Sequence, residues 1–228
     1  MKRTVLLLVS VLVLSVVSAT AGTTVLTFEG LQDEEAILNY YNGGFGGSGS
    51  GPGPNYGITF GADSLAIISG ANGGSGNFSG APSMPTIAFF LSGAGDVMDV
   101  PGGFDTGFSF YYSAIAFPGI VTVWSGLDGT GTQLASISLP VTPSGGAPEC
   151  TYGAYCPWFP TGVAFSGTAK SAVFSGTANE IGFDDITIGS ATPGGVPEPS
   201  TWAMMGLGFA ALGFAGYRRA RTDRSLAF

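Results

Sequence analysis

Glu29 and the adjacent pair Asp184-Asp185 are the side chains of this sequence whose types and setting best suit binding chemistry. Glu29 ends one apolar run, and the aspartate pair lies within another. Neighbouring residues of a strand point to opposite faces, so one aspartate faces inward and needs a partner. Lys170 is the only base between the chain ends, and Ca²⁺ accepts carboxylate and carbonyl oxygens. We therefore predict a structural Ca²⁺ site of Glu29, Asp184 and Asp185 with backbone carbonyls. The alternative is that these acids merely accept backbone hydrogen bonds.

Histidine is absent from the sequence. Its absence excludes Ser-His-Asp and Cys-His catalysis and the common zinc sites. A carboxylate pair, as in glycosidases, is the acid-base chemistry that remains possible, and the sequence favours no particular pair. We therefore predict that the protein is not an enzyme. The alternative is a secreted, glycosidase-like carbohydrate-active enzyme that uses two carboxylates.

The charge of the chain is distributed unevenly. Residues 22–195 contain thirteen acids and one base, a net charge of −12, whereas the other six bases lie near the two ends. Such a surface repels nucleic acid and anionic lipid and favours cations or neutral partners. We therefore expect no nucleic-acid partner. Many of these acids are also explained by solubility alone.

Cys150 and Cys156 are the only cysteines, and five residues separate them. This spacing and an oxidising compartment predict a structural disulfide that closes a small loop. The same region is rich in aromatic rings, and we consider two interpretations for them. Tyr152, Tyr155 and Trp158 are candidates for stacking on the faces of sugars. The alternative, favoured because aromatic rings dominate protein cores, is that they cap one end of the core.

Short runs of β-branched and aromatic residues, separated by Gly, Pro, Asn and Ser, predict an all-β fold. Period-two alternation and frequent turn signals favour an antiparallel, two-sheet, jelly-roll-like sandwich, in which the first and last strands lie close together. The predicted strands are Thr24–Glu29, Gly57–Phe60, Leu65–Ser69, Thr86–Leu91, Thr106–Ala114, Ile120–Trp124, Gln133–Leu139, Gly162–Phe165, Ser171–Phe174 and Glu180–Ile188.

Two segments between the first and second predicted strands differ from this pattern. Asp33–Tyr41 has acids in its first turn and apolar residues at helical spacing, which predicts a helix. Asn42–Asn55 is rich in glycine, but it lacks the flanking strand, helix and acid of a dinucleotide-binding loop. We interpret it as a surface loop.

The N-terminus has the three parts of a secretory signal peptide. Lys2 and Arg3 precede an apolar core, Val5–Val17, and small residues at Ala19 and Ala21 form the cleavage site. We predict a signal peptide over residues 1–21 that is cleaved after Ala21. The β-sandwich domain is then predicted over residues 22–195.

The C-terminal region, residues 196–228, has a polar motif, an apolar span and a basic end. The motif is Val196-Pro197-Glu198-Pro199, and the uncharged span Trp202–Tyr217 is followed by an arginine cluster. Sixteen residues form about 24 Å of helix, short of a bilayer core of about 30 Å. We predict a short transmembrane helix over 202–217, with an ordinary C-terminal anchor as the alternative. The basic residues at both ends place the domain between them outside the cytoplasm.

These C-terminal residues, Val196 to Arg221, resemble the PEP-CTERM sorting signal of Gram-negative bacteria. The resemblance implies a transient anchor in the inner membrane and cleavage near Pro197-Glu198-Pro199 by an exosortase-type transpeptidase. It also implies a later location at the cell surface or outside the cell. PEP-CTERM systems generally accompany exopolysaccharide production. The resemblance therefore favours a surface or extracellular-matrix protein whose sandwich is structural or binds polysaccharide.

A weaker resemblance concerns the ends of the domain. The Phe28-Glu29 opening and the Asp184-Asp185-Ile186 ending resemble those of MAM-type and carbohydrate-binding jelly rolls, which often hold a structural cation there. These strands and the stretch Tyr40–Phe60 are also similar to ectodomains that accompany PEP-CTERM tails. Both resemblances are consistent with the predicted fold and cation.

Overall fold

The computed structural model describes residues 22–93 and 95–194. These residues form two antiparallel β-sheets and one short 3₁₀ helix, η1 (Gly70–Asn72). The predicted all-β, two-sheet sandwich is therefore confirmed. The strands are β1 (Thr24–Leu26), β2 (Glu35–Ala36), β3 (Thr59–Phe60), β4 (Ser64–Ile68), β5 (Thr86–Phe90), β6 (Gly95–Phe104), β7 (Gly107–Ser113), β8 (Gly119–Trp124), β9 (Gln133–Leu139), β10 (Phe159–Ala164), β11 (Ala169–Ser175) and β12 (Gly182–Ile188).

Alternation along the strands separates the core from the outer faces. In β8, Val121 and Val123 are fully buried, while Thr122 and Trp124, which alternate with them, are partly exposed. Successive strand residues point to opposite faces, so one face of β8 packs on the core and the other faces outward. All ten predicted strands overlap strands of the structure.

The seven-stranded sheet has the order β10-β7-β12-β5-β4-β2, and β1 also pairs with β12. β1 pairs with the second half of β12, from Thr24 opposite Ile188 to Leu26 opposite Ile186. β5 pairs with the first half of β12, where Phe183 lies opposite Ala88. The first and last strands are therefore neighbours, as the sequence predicted.

The five-stranded sheet has the order β3-β6-β11-β8-β9 and packs against the other across an aromatic core. Phe174 of this sheet and Phe183 of the seven-stranded sheet have ring centroids 4.9 Å apart, in an edge-to-face arrangement. Phe110 packs on both rings. Edge-to-face contacts of this kind add to the burial of apolar surface, so these rings hold the two sheets together.

The predicted helix at Asp33–Tyr41 is wrong. The segment contains the short strand β2 and turns, and Glu34 and Leu38 have positive φ angles of 56° and 46°. Residues in this left-handed region cannot continue a right-handed helix. The physical reason lies in Glu35, which is completely buried and accepts backbone hydrogen bonds from the glycine-rich loop.

One long strand, β6, was absent from the predicted set. Its sequence, GDVMDVPGGF, contains three glycines and a proline, which are turn signals rather than strand signals. Asp96, Met98 and Val100 nevertheless alternate inward. No helix among the described residues is long and apolar enough to cross a membrane. The predicted signal peptide and the predicted span at 202–217 lie outside those residues.

Candidate functional site

A cleft of about 270 Å³ lies on the outer side of the seven-stranded sheet. In β5, Ala88 and Phe90 belong to the main core, whereas Ile87 belongs to a second, smaller core with Phe78 and Trp158. Adjacent residues of a strand point to opposite faces, so this second core covers the outward face of β5. The cleft opens beside it.

The walls of the cleft combine apolar and uncharged polar groups with one acid. The apolar side chains come from β4, β5 and the loops beside them, and the polar ones come from three loops. The lining residues are Ile67, Ser75, Gly76, Asn77, Phe78, Ile87, Phe89, Tyr155, Asn179, Glu180, Ile181 and Gly182. Few polar groups around an apolar floor are typical of small-ligand sites.

Tyr155 and Glu180 form a fixed polar edge of this cleft. The Tyr155 hydroxyl donates a hydrogen bond to Glu180 Oε2 at 2.9 Å, and the carbonyl oxygen of Asn179 is 3.2 Å away. Burial raises the pKa of Tyr155, and the bond to the Glu180 carboxylate raises it further. The hydroxyl therefore remains a hydrogen-bond donor at physiological pH, and Glu180 keeps lone pairs for a ligand.

The predicted disulfide between Cys150 and Cys156 is confirmed, with an S–S distance of 2.06 Å. The closed loop is also tied to the segment that carries Asn77. The Asn77 carbonyl oxygen accepts hydrogen bonds from the main-chain nitrogens of Ala154 and Tyr155, both at 3.1 Å. The loop therefore holds Tyr155 against the wall of the cleft.

The three candidate sugar-stacking rings have different positions. Trp158 is 9% exposed, packs edge-on against Phe78, and donates its indole N–H to the Ser79 carbonyl oxygen at 3.0 Å. It is part of the second core, as the core-capping interpretation expects, and it offers almost no surface to a ligand. Tyr155 is partly buried at the cleft. Tyr152 is 43% exposed on the disulfide loop.

The three acids predicted to bind calcium meet at one segment between β4 and β5 and the start of β5. Glu29 Oε1 accepts the main-chain N–H of Thr86 at 3.0 Å, and Asp184 Oδ2 accepts that of Ser83 at 2.8 Å. The Ser83 hydroxyl donates to Asp185 Oδ1. The pairing of β1 with β12 explains why residues so distant in sequence come together.

The electrostatics of these acids follow from burial and mutual repulsion. Asp184 has no exposed surface, and burial raises its pKa to about 9, with repulsion from Asp185 and Glu29 contributing. Burial also raises the pKa of Glu29, and Asp185 raises it further. A bound proton or cation stabilises such carboxylates, because either one neutralises the buried charge.

The donor chemistry of these acids suits calcium, which prefers oxygen ligands in loose geometry. Within residues 22–93 and 95–194, no three or more His, Cys, Asp or Glu side chains are grouped so as to hold a metal ion. The prediction requires only Glu29 and one of the aspartates, with backbone carbonyls completing the set. Calcium binding therefore stays a prediction, beside the backbone hydrogen bonds that these carboxylates accept.

Residues 195–219 match the family model described as the PEP-CTERM protein-sorting motif. The chain carries a PEP-CTERM sorting signal. The match includes the predicted sorting motif at Val196, Pro197, Glu198 and Pro199, and it confirms the resemblance stated from the sequence. A PEP-CTERM signal indicates an exported protein that an exosortase processes at the membrane. The match does not extend into the sandwich.

No curated protein matches the chain. Solved structures resemble it at a distance. The C-terminal family 6 carbohydrate-binding module of a Zobellia galactanivorans laminarinase is 15% identical, with 56% of this chain and 99% of the module covered and a TM-score of 0.33. A cleaved adhesin domain of Lys-gingipain from Porphyromonas gingivalis is 14% identical, with coverages of 58% and 98% and a TM-score of 0.35.

A family 43 arabinoxylan arabinofuranohydrolase from Bacillus subtilis is 20% identical, with a TM-score of 0.36. The alignment covers 57% of this chain and only 25% of the hydrolase. Similarity at this level does not identify a ligand.

The sequence did not indicate Asn77, Asn179 or Glu180 as site residues. Each lies in a loop whose composition is that of any solvated turn, and their proximity depends on contacts between distant segments. Tyr155 was the one cleft residue with a signal, because it lies between the two cysteines.

Proposed function

We propose that this protein is an exosortase-sorted surface or extracellular-matrix protein whose sandwich binds a neutral polysaccharide in the cleft beside Tyr155. The observation that carries the proposal is the lining of the cleft. It joins an apolar floor, including Ile87 and Phe89, to a rim of amides and one carboxylate, and its lining residues include no base.

This lining suits a sugar. A pyranose has apolar C–H faces and a periphery of hydroxyl groups, each of which donates and accepts hydrogen bonds. The side-chain amide of Asn179 offers both donors and an acceptor, and Glu180 offers acceptors. An acidic polymer would be repelled by Glu180 and by the net charge of −12 on the domain. The polysaccharide is therefore expected to be neutral.

The sorting signal supports the same proposal independently. It directs the domain out of the cytoplasm, where extracellular polysaccharide is available as a ligand. PEP-CTERM systems generally accompany exopolysaccharide production, so a matrix component that contacts this polymer fits the tail and the cleft together.

Binding is favoured over hydrolysis by the acids of the cleft. Glycosidases use two carboxylates about 5–10 Å apart across the scissile bond. Glu180 is the only carboxylate among the residues that line the cleft. A polysaccharide held there would meet a single acid rather than an acid-base pair, which supports a binding module.

The test is binding of the exported protein to polysaccharide from the matrix of its own cells, measured by affinity electrophoresis and calorimetry. Glu180→Ala and Asn179→Gly should each weaken binding about tenfold, equivalent to about 1.4 kcal/mol. Asp105→Ala and Asn72→Gly are the matched controls, because both residues are exposed and outside the cleft. Unchanged binding by the cleft variants would refute the assignment. Release of reducing ends would favour the enzyme instead.

We further propose that Glu29 and at least one of Asp184 and Asp185 hold a structural Ca²⁺ with backbone carbonyls. The support is the raised pKa of both Glu29 and Asp184, caused mainly by burial, in a domain with Lys170 as its only base. The ion would join the first and last strands rather than take part in catalysis.

A further inference from the structure

Strand β9 (Gln133–Leu139) forms one edge of the five-stranded sheet, and β8 is its one neighbour among the described strands. A register shift at Leu134 interrupts this pairing, whereas Ala135–Leu139 pairs with β8 regularly. On the other side of these five residues, no main chain of the described part of the protein forms hydrogen bonds with them. Every second residue of an antiparallel strand directs its N–H and C=O to that side. The edge of β9 therefore presents main-chain donors and acceptors that can pair with a further strand.

The other edges of the two sheets are protected. At one edge of the seven-stranded sheet, the Ala36 carbonyl oxygen of β2 accepts the N–H of Gly47 at 2.7 Å. At its opposite edge, β10 contains Pro160, which has no N–H to donate. In β3, at the far edge of the five-stranded sheet, Phe60 donates its N–H to the Leu38 carbonyl oxygen at 3.0 Å. The remaining strand, β1, has only three residues, and such short edge strands pair poorly with other chains. These features distinguish β9 from every other edge of the described sheets.

The side chains of β9 lack the charges that keep edge strands apart. Its sequence, QLASISL, contains no charged residue and no proline. Residues 106–148 contain one acid, Asp128, and no base, whereas the other twelve acids of the domain lie outside this segment. Two domains that each have a net charge of −12 repel each other least where their surfaces carry no charge. The distribution of charge therefore favours this edge for contact between two copies of the domain.

The order of residues in β9 is self-complementary. From Ala135 to Leu139, apolar residues alternate with serines, symmetrically about Ile137. Ser136 and Ser138 are exposed, whereas Ile137 and Leu139 belong to the core. A second, antiparallel β9 related by a two-fold axis at Ile137 places Ser136 opposite Ser138 of the second copy. On the other face, Ala135 lies opposite Leu139 of the second copy. Hydroxyl groups thus meet hydroxyl groups and apolar side chains meet apolar ones, and both copies use the same residues, as a two-fold interface requires.

We propose that β9 is a self-association edge, at which two copies of this domain pair their β9 strands in antiparallel orientation about Ile137. The pairing joins their five-stranded sheets into one continuous sheet. One pair of strands is a small interface, so the dimer is weak and its population depends on the protein concentration. The inference goes beyond the proposed function and is independent of the cleft, because association is measured without polysaccharide.

The test is sedimentation velocity of the exported protein over a series of concentrations. The wild type should change from monomer to dimer as its concentration rises. The double variant Ser136→Glu with Ser138→Glu should stay monomeric, because like charges then lie directly opposite each other across the strand pair. Ser166→Glu with Thr168→Glu is the matched control, since both residues are exposed on the loop between β10 and β11 and the added charge is the same. This control should dimerise as the wild type does, and a thermal melting curve checks that each variant is folded.

Opposite charges at the same positions test the register of the pair. The double variant Ser136→Lys with Ser138→Lys should also be monomeric alone. Mixed with the glutamate double variant, it should form dimers, because each lysine then lies opposite a glutamate. A wild type that is monomeric at every concentration, or a glutamate variant that dimerises as the wild type does, would overturn the self-association edge. A mixture that stays monomeric would overturn the two-fold pairing about Ile137.

Discussion

Glu35 Oε1 lies 3.0 Å from the main-chain nitrogen of Ser50, fifteen residues later in the chain, and accepts a hydrogen bond from it. The same oxygen accepts the N–H of Ser48 at 2.8 Å, and Oε2 accepts that of Gln32 at 2.7 Å. Burial opposes ionisation of Glu35, but the Ser50 hydroxyl and these main-chain donors outweigh it and hold the pKa of Glu35 below its ordinary value. The glycine-rich loop is therefore organised around a buried carboxylate.

Replacement of this carboxylate by an amide should destabilise the domain. In Glu35→Gln, an NH₂ group would face a main-chain N–H, and an unsatisfied buried donor costs about 1–3 kcal/mol. The loss should appear in urea denaturation at pH 7.

This stabilisation should depend on pH. Because the pKa of Glu35 is lowered in the folded state, the stabilisation exists above the unfolded value of 4.5 and disappears as pH falls through the folded value. The two proteins should therefore converge in acid. Glu34→Gln, at the exposed neighbour, is the control, and equal stability of wild type and Glu35→Gln would contradict the prediction.

Glu35 also shows why this part of the fold was mispredicted. Asp33–Tyr41 has helical spacing of its apolar residues, which is a local signal. The donors that draw Glu35 into the interior belong to residues 48 and 50, in a segment whose composition is that of a loop. A contact across this distance leaves no periodic pattern in the sequence. In β8, by contrast, the period-two alternation of the inward residues Val121 and Val123 is visible in the sequence itself, and it predicted the strand.

The candidate sites divide in the same way. The disulfide needed only two cysteines at short spacing, and the sorting motif is a contiguous string, so both were predictable. The proximity of Glu29 to the aspartate pair depends on the pairing of β1 with β12. It could be predicted because the first and last strands of a jelly roll are expected to lie close together. The cleft joins Asn77, Tyr155 and Glu180 from three separate loops. Nothing in the sequences of such loops indicates which loops lie next to each other in the fold.

The disulfide is expected to stabilise the domain modestly. Chain-entropy arguments give about 2 kcal/mol for so short a loop. The double variant Cys150→Ser with Cys156→Ser should fold, melt at a lower temperature, and bind polysaccharide less well because the loop that carries Tyr155 is released. Thiol titration of the exported wild type under non-reducing conditions checks the pairing itself. Free thiols there, or an unchanged melting temperature in the variant, would count against this role.

The sorting signal predicts the ends of the mature protein. Mass spectrometry of the exported protein should find an N-terminus at Gly22 and a C-terminus before Trp202. A variant with Pro197, Glu198 and Pro199 all changed to alanine should keep its C-terminal region and remain with the membrane fraction. Extracellular wild-type protein that still contains residues 218–228 would show that no cleavage occurs at this motif.

Asp96 should make stability decrease as pH rises. Its side chain is buried between the sheets, and Oδ2 has no hydrogen-bond partner among the described residues. Burial raises the pKa of Asp96 from 3.8 to about 6. A hydrogen bond with the Ser64 side chain lowers this pKa, whereas repulsion from Asp63 and Asp99 raises it. Between these two values the unfolded chain has lost the proton that the folded chain retains, so rising pH favours unfolding.

The corresponding variant is Asp96→Asn, which keeps the shape of the side chain and cannot ionise. One pKa unit corresponds to about 1.4 kcal/mol, so the free energy of unfolding of this variant should exceed that of the wild type by about 3 kcal/mol at pH 7. The difference should vanish near pH 3.5. Urea denaturation across this range measures the difference. Asp105→Asn, at an exposed acid, is the control. Parallel stability curves for wild type and Asp96→Asn would exclude a buried ionised carboxylate at this position.

Calcium is expected to stabilise the domain by joining its first and last strands. Glu29 follows β1 and Asp184 lies in β12, and both are held to the segment from Ser83 to Thr86. A cation bound only by the folded state stabilises it by about 2.7 kcal/mol at a hundred times its Kd. EDTA should therefore lower the melting temperature of the wild type, and Asp184→Asn or Asp185→Asn should remove that sensitivity, whereas Asp105→Asn should retain it. A wild type that melts identically with calcium and with EDTA would show that these carboxylates serve only as acceptors of hydrogen bonds from Thr86 and Ser83.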